Sequence, residues 1–173
     1  WKEDTWRYDG SFSYFNANLT YYGQAGQPSL PQPSVPYNLT GWFFNQQLER
    51  RLGQSKFFAG ARYRFANLDS SIDGGANLPP TTVSSFHSQN AGTSGLLTYD
   101  SRDNPISPST GLFARMDATL FNQAFGGNFN YGHLTLTTLK YWSVTPKLIL
   151  GWRLQGDFTQ GDYPFYAAPY VSL

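Results

Sequence analysis

The stretch Lys56-Phe57-Phe58-Ala59-Gly60-Ala61-Arg62-Tyr63-Arg64-Phe65 decides the class of fold. Phe57, Ala59, Ala61, Tyr63 and Phe65 fall on one side of an extended chain, and Lys56, Gly60, Arg62 and Arg64 on the other. Successive side chains of a strand point to opposite faces, so a period of two marks a strand with one apolar and one polar face. Two further stretches repeat it. Leu112, Ala114, Met116, Ala118 and Leu120 oppose Arg115, Asp117 and Thr119, and Leu148, Leu150, Trp152 and Leu154 oppose Lys147, Arg153, Gln155 and Asp157.

Extended along the chain, the pattern predicts seven strands, over 5–22, 37–52, 56–68, 92–101, 111–123, 129–142 and 147–159. Each has ~10 residues or more, the length of a tilted strand crossing a bilayer rather than the ~5–6 usual in soluble proteins. Arg50 to Gln54 reads as the end of a strand. The first strand changes phase: Trp6, Tyr8, Phe12 and Tyr14 share a face, then Phe15, Ala17, Leu19 and Tyr21 continue on the other, which predicts a β-bulge near Tyr14.

Long and short connections alternate. Residues 24–36 and 69–91 read as long polar loops, with Gly74-Gly75 at the tip of the second, and Ala124 to Asn128 as a moderate one. Gly53-Gln54-Ser55, Thr145-Pro146 and the Pro-rich 102–110 read as turns at the opposite end. Outer-membrane barrels have this asymmetry, with longer loops outside and tight turns on the periplasmic side. Trp6, Tyr8, Tyr21, Tyr22, Tyr141 and Trp142 lie near strand ends, where aromatic girdles sit.

Composition agrees. The 173 residues are 18% aromatic and 13% charged, with net charge +1 and no cysteine. Mean hydropathy is −0.44, and no apolar run reaches the ~20 residues of a spanning helix. So many aromatics exclude a disordered chain, and the charge balance gives no reason to expect a nucleic-acid partner. The expected fold is all-β: an antiparallel up-and-down transmembrane β-barrel. Seven strands do not close such a barrel, so either these residues belong to a longer barrel or several chains complete one; the lack of an export signal favours the first. Trp1-Lys2-Glu3-Asp4 is not an export signal, so a leader is expected upstream.

No catalytic or metal-binding set stands out, and no cofactor is expected. His87, in a predicted loop, and His133 lack a His, Cys or carboxylate partner at ligand spacing. The sequons at Asn18 and Asn38 fall in predicted strands, which argues against glycosylation. Charges on the polar strand faces, chiefly Arg62, Arg64, Arg115, Asp117, Arg153 and Asp157, with Arg7, Asp9, Glu49 and Arg51, are expected to face a lumen. They read as a salt-bridged wall or, alternatively, as a docking surface for an inward-folded loop or a polar conduit.

One segment is more specific. Tyr99-Asp100-Ser101-Arg102-Asp103-Asn104-Pro105-Ile106-Ser107-Pro108-Ser109-Thr110-Gly111 resembles a turn of the BamA/TamA-type bacterial surface antigen barrels. In it Asp100, Arg102, Asp103, Asn104, Pro105, Pro108 and Gly111 have a structural role: side chains bond backbone N–H groups, prolines end ladder pairing, and glycine permits re-entry. Trp1 to Tyr8, Asn16 to Leu19, Phe58 to Phe65 and Gly161 to Tyr166 are also similar to compact members. The resemblance implies a sixteen-stranded barrel in a Gram-negative outer membrane, with residues 1–173 as the central part of one barrel domain and further strands on both sides. It implies an Arg-Gly-aromatic signature shortly after Leu173, and a non-enzymatic role in protein insertion or translocation. Expected partners are outer-membrane lipid, lipopolysaccharide and client outer-membrane proteins. A stand-alone pore, a lipid-handling barrel, an anchor for a fused passenger, or a soluble secreted carbohydrate-binding β-domain are the alternatives.

Overall fold

The computed structural model of the protein describes residues 4–21, 35–72 and 85–164. Seven strands follow in chain order: β1 (Trp6–Tyr21), β2 (Val35–Arg51), β3 (Phe57–Ile72), β4 (Ser85–Asp100), β5 (Gly111–Phe121), β6 (Asn130–Thr145) and β7 (Leu148–Asp162). They form one open antiparallel sheet in sequential order, an up-and-down meander. A short 3-10 turn, Gln123–Phe125, stands between β5 and β6. The seven expected strands are all present, and they run from 11 to 17 residues.

The register divides the side chains into two faces. Cross-strand partners place Arg7, Glu49, Arg62, Ser94, Thr119, His133 and Thr159 on one face, with Asp9, Gln47, Arg115, Asp117, Arg153 and Asp157. That face is concave. A flat sheet would hold β1 and β4 about 14 Å apart, at ~4.8 Å per strand. Yet Arg7 on β1 reaches Asp100 on β4 at 3.0 Å, and Arg64 on β3 reaches Thr119 on β5 at 2.9 Å. Such contacts across intervening strands need inward curvature. It buries the polar face: Glu49 is 2% exposed, Thr98 1% and Asp117 6%.

The convex face is apolar and open. Tyr8, Phe12, Leu97, Met116, Leu120, Leu136, Leu150, Trp152, Leu154 and Phe158 all lie on it and are exposed. Aromatic pairs brace it, including Trp42 stacked on Phe65 at 4.7 Å and Phe57 edge-on to Tyr99 at 5.0 Å.

Two expectations change. β1 pairs with β2 without interruption from Trp6 to Tyr21, so there is no bulge near Tyr14. The apolar residues change face because the surroundings change. Beyond Tyr14, Phe15 turns to the concave side and stacks on Phe43 at 5.6 Å, while Asn38 on the convex side donates to Asn16 and Asn18 at 2.8 and 2.9 Å. The irregularity lies instead between Ser143 and Thr145, opposite β7. Secondly, the expected loop 69–91 is shorter, since β3 runs to Ile72 and β4 begins at Ser85. His87 therefore lies in a strand, beside Asp69. Asp69, His87 and Gln89 read as loop because they are polar, but ladder pairing does not require apolar side chains. The Gly74-Gly75 tip, Tyr22, residues 24–34 and Phe165 to Leu173 fall outside the described residues.

The turns Leu52–Lys56, 101–110 and Pro146–Lys147 share one end of the sheet, the turn end. Residues 122–129 connect β5 to β6 at the other, the loop end.

Candidate functional site

The concave face carries three groups of charges. The first bridges β2, β4 and β5. Glu49 accepts from Thr98 at 2.6 Å and Gln47 at 3.0 Å, and pairs with Arg115, whose Nε donates to Thr98 at 3.1 Å. The second joins β3 to β5. Asp117 pairs with Arg62, lies 3.5 Å from Arg64, and accepts from Thr119 at 3.1 Å. Arginine suits both positions, because its planar fork engages a carboxylate and neighbouring hydroxyls together. Arg62 Nε and Arg64 Nε are buried without an acceptor, so this group keeps some donor capacity.

The third group stands at the turn end. Asp100 accepts two bonds from the Arg102 guanidinium, at 2.9 and 3.0 Å, one from the Arg102 backbone N–H at 3.2 Å, and one from Arg7 at 3.0 Å. Asp4, just before β1, bonds Arg7 at 2.7 and 2.9 Å and Arg51 at 2.6 Å. The guanidinium groups of Arg7 and Arg51 sit over the Phe58 ring at 3.7 and 4.8 Å, and Phe58 is 1% exposed. A cavity of about 600 Å³ opens here, lined by Arg7, Asp9, Glu49, Asp100, Arg102 and Arg115 among others.

The turn after β4 is built from its side chains. Asp103 accepts from the Ser109 and Thr110 backbones at 2.9 and 3.1 Å and from the Ser109 hydroxyl; Asn104 accepts from Ile106 and Ser107 at 2.8 and 3.1 Å. The Ser109 hydroxyl, then the Thr110 and Ser109 amides, lower the Asp103 carboxyl to a pKa of about 2. Arg102 donates to the Pro105 carbonyl at 3.2 Å and lies over Phe113 at 4.6 Å. Pro108 falls within the loop that Asp103 closes. Gly111 has φ 113°, and a Cβ there would stand 2.4 Å from the Ser101 oxygen.

A family model described as the Omp85 superfamily domain matches residues 1–170. The chain belongs to the Omp85 superfamily. This is the BamA/TamA-type family of outer-membrane β-barrels that the turn resembles. No curated protein matches the chain. The open, seven-strand antiparallel sheet is consistent with part of an Omp85 barrel.

The expected charges all lie on the concave face, but they do not form one cluster. Arg62, Arg64 and Asp117 meet, and Arg115 joins Glu49. Arg153 and Asp157 lie apart from both groups, each bonded to Gln155. Asp157 also accepts from Thr135 at 2.8 Å and stands 3.4 Å from His133. Each histidine thus faces one carboxylate on the neighbouring strand, a pairing that sequence spacing does not reveal. Also missed were Asp4 and the hydroxyls of Ser94, Thr98 and Thr119. Nor does the sequence signal that Asp100 ties the turn to β1, since Arg7 lies 93 residues away.

Proposed function

We propose that the chain is a section of wall in an integral barrel of the Gram-negative outer membrane, serving insertion or translocation of other proteins without enzymatic chemistry. The observation that carries this is the two-sided sheet: an exposed apolar convex face, and a concave face whose charges are tied to one another across strands. An arginine facing lipid costs ~2–4 kcal/mol at the bilayer midplane, so the charged side belongs to the interior. The interlocked carboxylates and guanidinium groups suit a rigid, hydrated wall.

The test uses the full-length protein. It should stay with outer-membrane fractions through alkaline extraction and migrate differently in SDS before and after heating. In lipid vesicles it should speed the folding of an unfolded client barrel. Extraction as a soluble protein would sink the membrane reading. Stable insertion with no effect on client folding would refute the insertion role and favour a pore or a passenger anchor.

A further inference from the structure

All the arginines placed on the concave face by the strand register are bonded within the protein. On the convex face, the strands carry two cations of a different kind. Arg50, exposed on β2, lies opposite Trp6, with its guanidinium 5.2 Å from the centre of the indole ring. Lys140 on β6 lies between Leu112 on β5 and Trp152 on β7, among apolar groups. Its ammonium lies 5.6 Å from the centre of the ring of Trp142, which stands two residues nearer the turn end of the same strand. Among the described residues neither cation has a carboxylate partner.

The carboxylates on the convex face, Asp69 and Asp162, sit at the loop end of β3 and β7. No lysine or arginine accompanies them there among the described residues. The remaining described lysines, Lys56 and Lys147, stand in turns at the turn end. Charge on the convex face is thus segregated by height. A cation in an apolar wall must extend to the interface and find its counter-charge outside the protein. An indole beside it occupies the same boundary layer.

We propose that Trp6–Arg50 and Trp142–Lys140 are two headgroup sites for anionic phospholipid in the leaflet at the turn end, each cation meeting a lipid phosphate. This rests on the reading of the convex face as lipid-facing. It adds that the two ends of that face select different headgroup layers. Phosphate fits because neither cation has a carboxylate partner among the described residues, and because the described carboxylates of this face stand at the opposite end.

The experiment places the full-length protein in vesicles mixing zwitterionic phosphatidylcholine with phosphatidylglycerol, brominating one lipid at a time. Quenching of tryptophan fluorescence then reports which lipid contacts the wall. The brominated anionic lipid should be preferred by up to about fivefold, the gain of one cation at a lipid surface, and salt should reduce the preference. R50Q and K140Q should each lower it and the double variant abolish it, with heat-dependent mobility in SDS retained. Equal quenching by both lipids in the unaltered protein overturns the headgroup sites and leaves the barrel wall intact. Absence of quenching by either lipid overturns both.

Discussion

Glu49 and Arg115 offer the sharpest test of the concave network. They sit on β2 and β5, with two strands between them in the sheet, and Glu49 is 2% exposed. Changing Arg115 to Met leaves a buried carboxylate with only Thr98 and Gln47 as donors, which should cost about 3–5 kcal/mol. Glu49→Gln keeps the shape and loses the charge. It leaves Arg115 with the Thr98 hydroxyl and should cost about 2–3 kcal/mol, the value of a charged hydrogen bond. The double variant removes both charges together, so its cost should fall short of the sum by about 2 kcal/mol or more. The assay is urea unfolding of the full-length barrel in vesicles, followed by tryptophan fluorescence, with the four proteins in one cycle. Additivity within about 0.5 kcal/mol would mean that the two groups do not sense each other. The curvature argued from such cross-strand contacts would then lose its support.

Three further outcomes follow from the same geometry. Gly111→Ala forces a side chain into positive φ and against the Ser101 carbonyl; it should cost about 2 kcal/mol or more, read as a lower unfolding midpoint. Asp103 has a folded-state pKa of about 2 against an ordinary 3.8. Its stabilisation is therefore complete above pH 4–5, as judged from the ordinary value, and is lost as pH falls through about 2. The stability gap between native protein and Asp103→Asn should close across that window, and a pH-independent gap would contradict the capping role. Leu154→Arg, on the convex face, should cost about 2–4 kcal/mol if it lies near the midplane, whereas Gln155→Arg on the concave face should cost far less. Equal losses at the two neighbours would refute the division of faces.

Much of the fold was legible because its signal is local. A strand between lipid and a polar interior must alternate, and residues 56–65, 112–120 and 147–157 do so without help from distant residues. The turn after β4 was legible for the same reason: Asp103, Asn104 and Gly111 act on backbone within a few positions. Legibility failed where a face changed its neighbour. At Tyr14 the shift of apolar residues resembled a bulge, because a sequence records which residues are apolar and not whether a side chain meets lipid, water or another ring. At 69–72 and 85–91 polar side chains hid strands held by backbone pairing alone.

By itself, then, the amino-acid sequence determined the alternation, the number and order of strands, and the capped turn, all of which follow from backbone geometry and near neighbours. Only the tertiary structure decided the curvature and the partners. Arg7 with Asp100, Glu49 with Arg115 and Arg62 with Asp117 are joined across intervening strands. Such contacts depend on register and on inward bending of the whole sheet, and a one-residue slip would turn those charges toward the lipid. That Arg50 and Lys140 have no carboxylate partner among the described residues belongs to the same class of fact, because whether a cation is paired depends on which strand stands beside it.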